Sequence, residues 1–194
     1  MFETPFYNQH IRNLVSVFGT LFNDIKVQRR DGSGKILETN KVPLSYGPKQ
    51  KFIARLQGEP TLSDKGIALK LPRMAFEITS IDYDSTAKLN KQIRDAYAHP
   101  TDSYKRQYLR TYSPYNIGFQ LSILAKNMDE GLQIVEQILP LFQPDYTVTI
   151  IENNNVNRKT DIPFVLQSVD LSEDYEGDFE SRRSIIYTLD FTTK

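Results

Sequence analysis

Few side chains in this sequence are of the types that catalyse reactions or bind metals. The chain has two histidines, His10 and His99, and no cysteine. A thiolate nucleophile and a cysteine zinc site are therefore excluded, and a histidine-based triad would have to use one of two isolated residues. We interpret both histidines as surface residues. The sequence predicts no catalytic residue, no metal ligand and no cofactor.

Carboxylates are concentrated near the end of the chain, at Glu173, Asp174, Glu176, Asp178 and Glu180. Several oxygen ligands from one loop are what calcium prefers. This spacing lacks the glycine and the terminal glutamate of an EF-hand loop, so a solvated acidic turn is the preferred interpretation. A small hydrolase that uses the turn with a bound metal is the alternative from the enzyme class.

Basic side chains form small groups rather than one patch. The groups are Lys26 with Arg29 and Arg30, Lys49 with Lys51, Lys105 with Arg106 and Arg110, and Arg182 with Arg183. Tyr104, Tyr108 and Tyr112 are interleaved with the third group and could stack on single-stranded nucleic acid. Basic and acidic residues are equal at 24 each, and no RNA-binding motif accompanies the tyrosines. The sequence therefore predicts protein partners and no sequence-specific nucleic-acid binding.

Length and composition limit the class of protein. The 194 residues suit one large domain or two small ones, and no break in composition marks a linker, so we expect a single domain over residues 1–194. No apolar run approaches the roughly 20 residues that a membrane-spanning helix requires, and the first residues lack the features of a signal peptide. We expect a soluble protein without a membrane partner that binds other proteins.

The first part of the chain contains two helical patterns. Apolar residues recur at helical spacing from Ile11 to Phe22 and predict an amphipathic helix over residues 8–22, with Asn8 as its N-cap. Residues 49–56 have the composition for one or two further helical turns.

A second amphipathic helix is predicted from about residue 128 to residue 139. Asn127 followed by Glu130 is a capping box, which is typical of a helix start. The pattern predicts that Leu132, Val135, Ile138 and Leu139 form one buried face.

Alternating apolar patterns predict strands in both halves of the chain. They cover about residues 25–30, 35–37, 42–46, 74–81, 117–125, 146–150, 164–169 and 185–191. The first two flank Asp31-Gly32-Ser33-Gly34, which is typical of a hairpin turn rather than a phosphate-binding loop. Because successive strands are joined by short turns, we expect an α+β fold with a mostly antiparallel sheet and flanking helices.

Residues 82–114 form a long polar segment that fits none of these patterns. The segment contains Tyr97, Tyr104, Tyr108 and Tyr112, with charged residues between them. It is too long for an ordinary loop, so we interpret it as an extended arm or excursion that orders against a neighbouring molecule. Its four tyrosines are predicted interface residues.

The block Gln133–Pro144 resembles the tail sheath stabiliser and completion (tail terminator) proteins of T4-like contractile-tailed phages. The resemblance extends, in order, along nearly the whole chain. It includes Phe6-Tyr7-Asn8 with Arg12, Val42-Pro43-Leu44-Ser45-Tyr46 followed by Lys49 and Phe52, Leu71-Pro72-Arg73, Asp161-Ile162-Pro163-Phe164, Ser181-Arg182-Arg183, and Leu189 with Phe191. The segment from Asp82 to Pro114 matches weakly.

This resemblance implies a structural virion protein rather than an enzyme, with a tail-terminator-like fold. The implied function is a homohexameric ring that terminates the tail tube, stabilises the last sheath ring and docks the neck of the head. The implied partners are copies of itself, the tail tube protein, the tail sheath protein and the neck proteins. The implied location is the tail–neck junction of the virion, after assembly in the host cytoplasm. The alternative is another neck-connector or baseplate ring subunit of a contractile injection machine.

Arg182 and Arg183 follow the acidic turn and precede the last predicted strand. Adjacent residues of a strand point to opposite faces, so one of the two arginines faces outward. Guanidinium groups bind carboxylates bidentately, and Glu173, Asp174 and Glu176 of the same or an adjacent subunit are the nearest candidates. We predict that these residues belong to the ring interface. The alternative is a solvated set of ion pairs worth about 0–1 kcal/mol each.

Overall fold

The computed structural model describes residues 7, 9–57, 71–90, 92–98, 102, 104–110, 113–153, 158–174 and 184–194. The helices are α1 (His10–Leu21), α2 (Lys49–Gln57) and α3 (Met128–Ile138), with a 3-10 helix at Leu139–Leu141. The strands are β1 (Lys26–Arg30), β2 (Ile36–Lys41), β3 (Leu44–Tyr46), β4 (Arg73–Tyr83), β5 (Arg94–Ala98), β6 (Arg106–Arg110), β7 (Tyr115–Ala125), β8 (Asp145–Asn153), β9 (Arg158–Asp174) and β10 (Ser184–Thr193). The fold is α+β and consists mostly of strands.

The strands form one larger sheet and two hairpins. The larger sheet has the order β3-β4-β7-β10-β9-β8, and β1-β2 and β5-β6 are separate two-stranded sheets. The predicted β1-β2 hairpin and the β8-β9 pair are antiparallel, and so is the β5-β6 hairpin, which the sequence patterns did not predict. The β3-β4 pair is parallel. Residues 47–72 separate these two strands and include α2, so the chain has the crossover length that parallel pairing requires.

The chain groups into two compact units, each assembled from separate stretches of sequence. The first unit comprises Met1–Glu77, Leu121–Leu139 and Val169–Thr188, and the second comprises Ile78–Gln120, Pro140–Ser168 and Leu189–Lys194. The division falls inside strands and inside the 3-10 helix rather than at a linker. Composition along the chain therefore does not mark it.

In the first unit, α1 packs through aromatic side chains. Leu14 and Phe18 are buried, and the ring centroid of Phe18 lies 5.0 Å from that of Phe22 and 5.3 Å from that of Phe76. A Cβ atom at Gly19 would lie 3.0 Å from Cζ of Phe76. The close approach of the helix to this ring therefore depends on a residue without a side chain.

The start of α1 differs from the prediction by one residue. Gln9 is the N-cap, with a φ of 58°, and its side chain makes no capping hydrogen bond. Its carbonyl accepts a hydrogen bond from the N–H of Asn13 at 2.8 Å. The predicted N-cap, Asn8, lies outside the described residues and is not the capping residue. Here the backbone conformation of Gln9, rather than a polar side chain, begins the helix.

The second unit has its own aromatic contacts. The ring centroid of Phe142 lies 5.1 Å from that of Phe191 and 6.0 Å from that of Tyr146. Phe119 and Phe164 are fully buried, and their ring centroids are 6.2 Å apart. Because aromatic side chains bury large apolar areas, these contacts give the second unit a core of its own.

α3 is present as predicted, but it buries a different face. Ile134 and Ile138 are 0% and 1% exposed, and Val135 is 6% exposed. Leu132 and Leu139 were predicted to be buried, but they are 42% and 39% exposed. The prediction is therefore correct for Val135 and Ile138 and wrong for the two leucines.

Gly131 explains why α3 has this rotation. A Cβ atom at position 131 would lie 2.6 Å from Cε2 of Tyr187 on β10, so any side chain there would collide with the tyrosine ring. The absence of a side chain allows the helix to approach β10 on this side. Ile134, Val135 and Ile138 follow Gly131 at spacings of three, four and seven residues, which places all four on one face.

The polar side of α3 binds the edge of β1 that faces away from β2. Oε1 of Gln133 accepts a hydrogen bond from the N–H of Gln28 at 3.0 Å, and Nε2 of Gln133 donates to the Gln28 carbonyl at 3.1 Å. Nε2 of Gln137 donates to the Lys26 carbonyl at 2.8 Å. Helix residues four apart are separated by about 6 Å, and strand residues two apart by about 6.7 Å. The spacing of the two glutamines therefore matches the spacing of the backbone groups along β1. Their side chains make the hydrogen bonds that a neighbouring strand would otherwise make.

An ion pair replaces the predicted capping box of α3. Asn127 holds the N-cap position, but its side chain makes no capping hydrogen bond. Oε1 of Glu130 instead accepts hydrogen bonds from Nε of Arg29 at 3.1 Å and from Nη2 of Arg29 at 3.0 Å. The Glu130 side chain is only 6% exposed, and a buried carboxylate requires a charged partner. Glu130 therefore connects α3 to β1 rather than capping the helix.

Replacing Ile138 by Ala is expected to lower the free energy of unfolding by about 2–5 kcal/mol, because a fully buried side chain is lost and a cavity is left. Leu132→Ala is the matched control on the exposed face, and we expect a change of about 0.5 kcal/mol or less. Denaturant unfolding of both variants measures the difference. Equal losses in the two variants would contradict the assigned buried face.

Replacing Gln133 by Ala is expected to leave the backbone N–H and carbonyl of Gln28 without their partner, at a cost of about 1–3 kcal/mol. The direct measurement is hydrogen exchange at the Gln28 amide, which should become faster in this variant. Glu136→Ala removes an exposed side chain from the same helix and should leave that exchange rate unchanged. Unaltered protection of Gln28 in Gln133→Ala would show that the side chain does not hold the strand.

Candidate functional site

The predicted arm, residues 82–114, is closed at its base by hydrogen bonds within the second unit. The N–H of Asp84 donates to the Pro114 carbonyl at 3.1 Å, which ties the two ends of the segment together. Oδ1 of Asp84 accepts hydrogen bonds from the N–H and the hydroxyl of Thr86 at 3.0 Å and 2.6 Å. Oδ2 accepts a hydrogen bond from Nζ of Lys194 at 3.1 Å. Both oxygens of the Asp84 carboxylate thus accept hydrogen bonds where the arm begins.

These contacts stabilise the ionised form of Asp84. The hydrogen bond from the Thr86 hydroxyl, followed by that from Lys194, lowers the pKa of Asp84 from 3.8 to about 2. The side chain is only 7% exposed, and burial acts in the opposite direction. The hydrogen bonds outweigh burial, so the folded state keeps this carboxylate charged at lower pH than an unfolded chain would.

β5 and β6 form a hairpin inside the arm, and its two faces differ in exposure. Residues that pair directly across an antiparallel ladder lie on the same face. The side chains that the structure describes on one face are all exposed: Arg94, Ala96 and Ala98 of β5, with Arg106 and Tyr108 of β6. The alternate residues of β5, Asp95 and Tyr97, are partly buried. The hairpin therefore presents a cationic face with one tyrosine to the solvent.

The predicted interface tyrosines lie in different surroundings. Tyr104, in the connection between β5 and β6, is 98% exposed, and Tyr108 is 62% exposed. Tyr97 is partly buried and pairs with Gln107, whereas Tyr108 pairs with Ala96. Tyr97 and Tyr108 therefore lie on opposite faces of the hairpin. Among the described tyrosines of the prediction, Tyr104 and Tyr108 are accessible to a partner.

The structure does not describe the side chains of the remaining predicted interface residues. Glu173 and Asp174 end β9, where only their backbone is described. Tyr112, Glu176, Arg182 and Arg183 lie outside the described residues. The contact between the acidic turn and the arginine pair therefore stays a prediction.

The β1-β2 hairpin of the first unit provides a second exposed surface, which the sequence patterns did not identify. Ile36 and Leu37 at the start of β2 are 49% and 68% exposed. Within the described part of the chain, the outer edge of β2 pairs with no strand. An unpaired strand edge is a template for pairing with another chain. Both hairpins expose arginines, and the β1-β2 hairpin also exposes two apolar residues at the start of β2.

The part of the chain that the structure describes gives information on metal sites, membrane-spanning helices and pockets. Those residues contain no group of three or more histidine or carboxylate side chains placed to hold a metal ion. None of the described helices is long and apolar enough to cross a membrane. A pocket of about 190 Å³ in the first unit is lined by the Arg29–Glu130 ion pair together with Val27 and Pro43.

Asp84 is expected to link the stability of the folded state to pH. Its pKa of about 2 lies below the ordinary 3.8, so the stabilisation is present above about pH 4 and is lost as the pH falls from about 4 to about 2. Asp84→Asn should remove this part of the pH dependence, measured as the thermal midpoint between pH 2 and pH 5. Asp82→Asn, at an exposed neighbouring carboxylate, is the control. Identical pH profiles of wild type and Asp84→Asn would contradict this role.

The chain is similar to known tail proteins over nearly its whole length. A family model described as T4-like virus Myoviridae tail sheath stabiliser matches residues 5–194. The tail completion protein gp15 of Enterobacteria phage T4 is 32% identical over 192 residues, which cover 96% of this chain and 69% of that protein. Among solved structures, the tail of an empty GTA particle with C6 symmetry aligns with 65% of this chain and 77% of that chain, at 14% identity and a TM-score of 0.24.

The family match and the phage T4 relative confirm the resemblance that the sequence motifs indicated. The block Gln133–Pro144, which first suggested it, begins inside α3 and contains both glutamines that bind β1. The family consists of structural virion proteins of contractile-tailed phages. Because the family model spans residues 5–194, this chain belongs to the T4-like virus Myoviridae tail sheath stabiliser family.

Proposed function

We propose that this protein forms a homohexameric ring that terminates the tail tube, stabilises the last sheath ring and docks the neck of the head. The observation that carries the proposal is the β5-β6 hairpin, which exposes Arg94, Arg106 and Tyr108 on its strands and Tyr104 in the connection between them. Tyrosine and arginine are enriched in protein interfaces and in their energetic hot spots. Membership of a family of tail completion proteins supports a site of action at the end of the tail.

A closed ring requires two unlike surfaces on each copy. Contacts in a ring are heterologous, because a patch on one subunit meets a different patch on the next. The chain has two candidate surfaces: the open-edged β2 in the first unit, which begins with two exposed apolar residues, and the cationic hairpin in the second. An open strand edge can add a strand from a neighbour through backbone hydrogen bonds. This supports ring formation by unlike contacts.

We assign the ring interface to the residues predicted from the sequence: Tyr97, Tyr104, Tyr108, Tyr112, Arg182, Arg183, Glu173, Asp174 and Glu176. The tyrosines provide rigid contact area with one polar end, and the arginines and carboxylates provide charge-assisted hydrogen bonds. The ring would contact the tail tube and sheath proteins on one side and the neck proteins on the other. Its location would be the tail–neck junction, after assembly in the host cytoplasm.

The alternative is a neck-connector or baseplate ring subunit, which would need similar self-association. The family match names a tail sheath stabiliser rather than either of these, and this favours the terminator function. Electron microscopy separates the candidates. A terminator adds density beyond the last sheath ring, a connector adds it at the head, and a baseplate subunit adds it at the opposite end of the tail.

Replacing Tyr104 and Tyr108 together by Ala is expected to leave the fold intact, because both side chains are largely exposed. Tails assembled with this variant should lose the terminal ring, show sheaths that contract or shorten prematurely, and join heads at reduced yield. Electron microscopy and counting of joined particles measure these effects. Tyr7→Ala, at a tyrosine that is 71% exposed outside the arm, is the matched control.

Tails made without any of this protein are the reference for the proposed function itself. We expect them to lack the terminal ring and to fail to join heads. If such tails keep a stable sheath and join heads at the normal yield, the protein does not terminate the tail. If the tyrosine variant alone behaves as wild type, the ring contact lies elsewhere on the molecule.

A further inference from the structure

The first unit contains a pocket of about 190 Å³ that we name the Glu130 pocket. Arg29 and Lys41 line it and have exposed side chains. Val27 and Glu130 also line it, and both are buried. The pocket therefore opens to solvent beside the two cationic residues and ends at the buried valine and the buried carboxylate.

One oxygen at the buried end of the pocket lacks a hydrogen bond to any described residue. Both hydrogen bonds from Arg29 go to Oε1 of Glu130, at 3.0 Å and 3.1 Å. Oε2 of Glu130 is buried and unpaired within the described part of the chain. Because a buried acceptor without a partner destabilises the folded state, a hydrogen-bond donor that enters the pocket would be bound favourably.

Much of the remaining lining is apolar and encloses enough space for one aromatic ring. Pro43, Leu71 and Pro72 line the pocket together with Val27. An engineered apolar cavity of about 150 Å³ holds one benzene molecule, and the Glu130 pocket is somewhat larger. Its lining therefore suits a flat apolar group that carries a donor.

The charges around Glu130 disfavour an ionic ligand. A cationic side chain would lie beside the guanidinium of Arg29, which is already bound to Oε1. An anion would face the unpaired Oε2, and like charges repel strongly where water is partly excluded. A phenol avoids both repulsions, because it is neutral and donates a short, strong hydrogen bond to a carboxylate.

Tyr104 in the second unit presents such a group. It lies in the connection between β5 and β6, and its side chain is 98% exposed. The N–H of Tyr104 donates to Oδ1 of Asp102 at 3.0 Å, and the N–H of Lys105 donates to the Asp102 carbonyl at 3.2 Å. This Asx turn fixes the backbone at the tyrosine. The ring therefore projects from an ordered turn and is almost free of contacts with its own chain.

Other exposed tyrosines are less suitable as ligands for the pocket. Four of them pack on another aromatic ring of the same chain: Tyr46, Tyr83, Tyr115 and Tyr146. Tyr108 lies within a strand and is 62% exposed. Among the described tyrosines, Tyr104 is the most exposed.

We propose that the Glu130 pocket binds the side chain of Tyr104 from a second copy of this protein. The ring packs against Val27 and Pro43, and the phenol hydroxyl donates to Oε2 of Glu130. Because the tyrosine and the pocket are unlike surfaces, the contact can repeat around a closed ring. The inference rests on the proposed ring and names two surfaces that meet between neighbours. The arginine face of the hairpin takes no part in this contact.

Disulfide trapping tests whether the contact joins two copies, since the chain has no cysteine of its own. Tyr104→Cys and Pro43→Cys are made in separate chains, mixed and oxidised, so that a disulfide between positions 104 and 43 joins two molecules. Mass spectrometry of peptides should find this disulfide in about tenfold higher yield than one between positions 7 and 43 in a mixture of Tyr7→Cys and Pro43→Cys. Equal yields in the two mixtures overturn the inference.

Removal of one hydroxyl tests the proposed hydrogen bond. Tyr104→Phe should weaken assembly about tenfold, measured by sedimentation equilibrium, because a charge-assisted hydrogen bond is lost. In a Glu130→Gln background the same change should have an effect of about twofold or less, because the carboxylate acceptor is already gone. Tyr108→Phe is the matched control and should have no effect in either background. Equal effects of Tyr104→Phe in both backgrounds overturn the inference.

Ring formation itself is judged separately by negative-stain microscopy, and circular dichroism verifies that each variant is folded. Wild-type rings without the disulfide between positions 104 and 43 overturn the inference and leave the proposed ring intact. A wild-type chain that forms no ring, alone or on tails, contradicts the proposed ring and with it the contact between copies.

A small-molecule titration tests the chemistry of the pocket independently of assembly. The full-length Tyr104→Ala variant, whose own tyrosine cannot compete, is titrated with para-cresol, which corresponds to a tyrosine side chain, or with toluene, which lacks the hydroxyl. Para-cresol should shift the NMR signals of the Val27 and Leu71 methyl groups and should bind about tenfold more tightly than toluene. Equal affinities, or shifts confined to residues outside the pocket, overturn the inference.

Discussion

The hydrogen bonds between α3 and the edge of β1 are the constraint on which much of the first unit depends. Backbone groups on a strand edge require partners when they are covered, and Gln133 and Gln137 supply them from the helix. The Arg29–Glu130 ion pair adds a charged contact beside them. On its other side the same helix approaches β10 through Gly131. One helix of eleven residues therefore fixes both the core and the β1-β2 hairpin.

The sequence predicted that α3 exists, but it did not predict how the helix is rotated. Leu132 and Leu139 are as apolar as Ile138, so the periodicity alone was compatible with a buried face that included the leucines. The rotation is decided by Gly131, whose missing side chain admits the ring of Tyr187. That contact joins residues far apart in the sequence. Local periodicity contains no information about this long-range contact. It also does not show that Glu130 pairs with Arg29 of β1 instead of capping its own helix.

The candidate surface was predictable in its location but not in its composition. The density of tyrosines identified the arm, yet β5 and β6 were missed because neither strand alternates apolar with polar residues. Only the register shows that Tyr108 shares a face with Arg94 and Arg106, while Tyr97 lies on the other face. The exposed apolar start of β2 was also missed, because the local sequence does not show that residues on both faces of this strand are exposed. Pairing, rather than residue type, determines which side chains can meet a partner.

The chemistry of the two hairpins also bears on the symmetry of the proposed assembly. A two-fold dimer through the β5-β6 face would oppose arginines with arginines, and such like-charge contacts are unfavourable. The face therefore disfavours an isologous pair and favours contact with an unlike, acidic surface, which is the arrangement that a ring requires. Each exposed ion pair contributes only about 0–1 kcal/mol. Repeated around a closed ring, such ion pairs would select the orientation of neighbouring subunits. The exposed apolar residues at the start of β2 would provide apolar surface that an interface can bury.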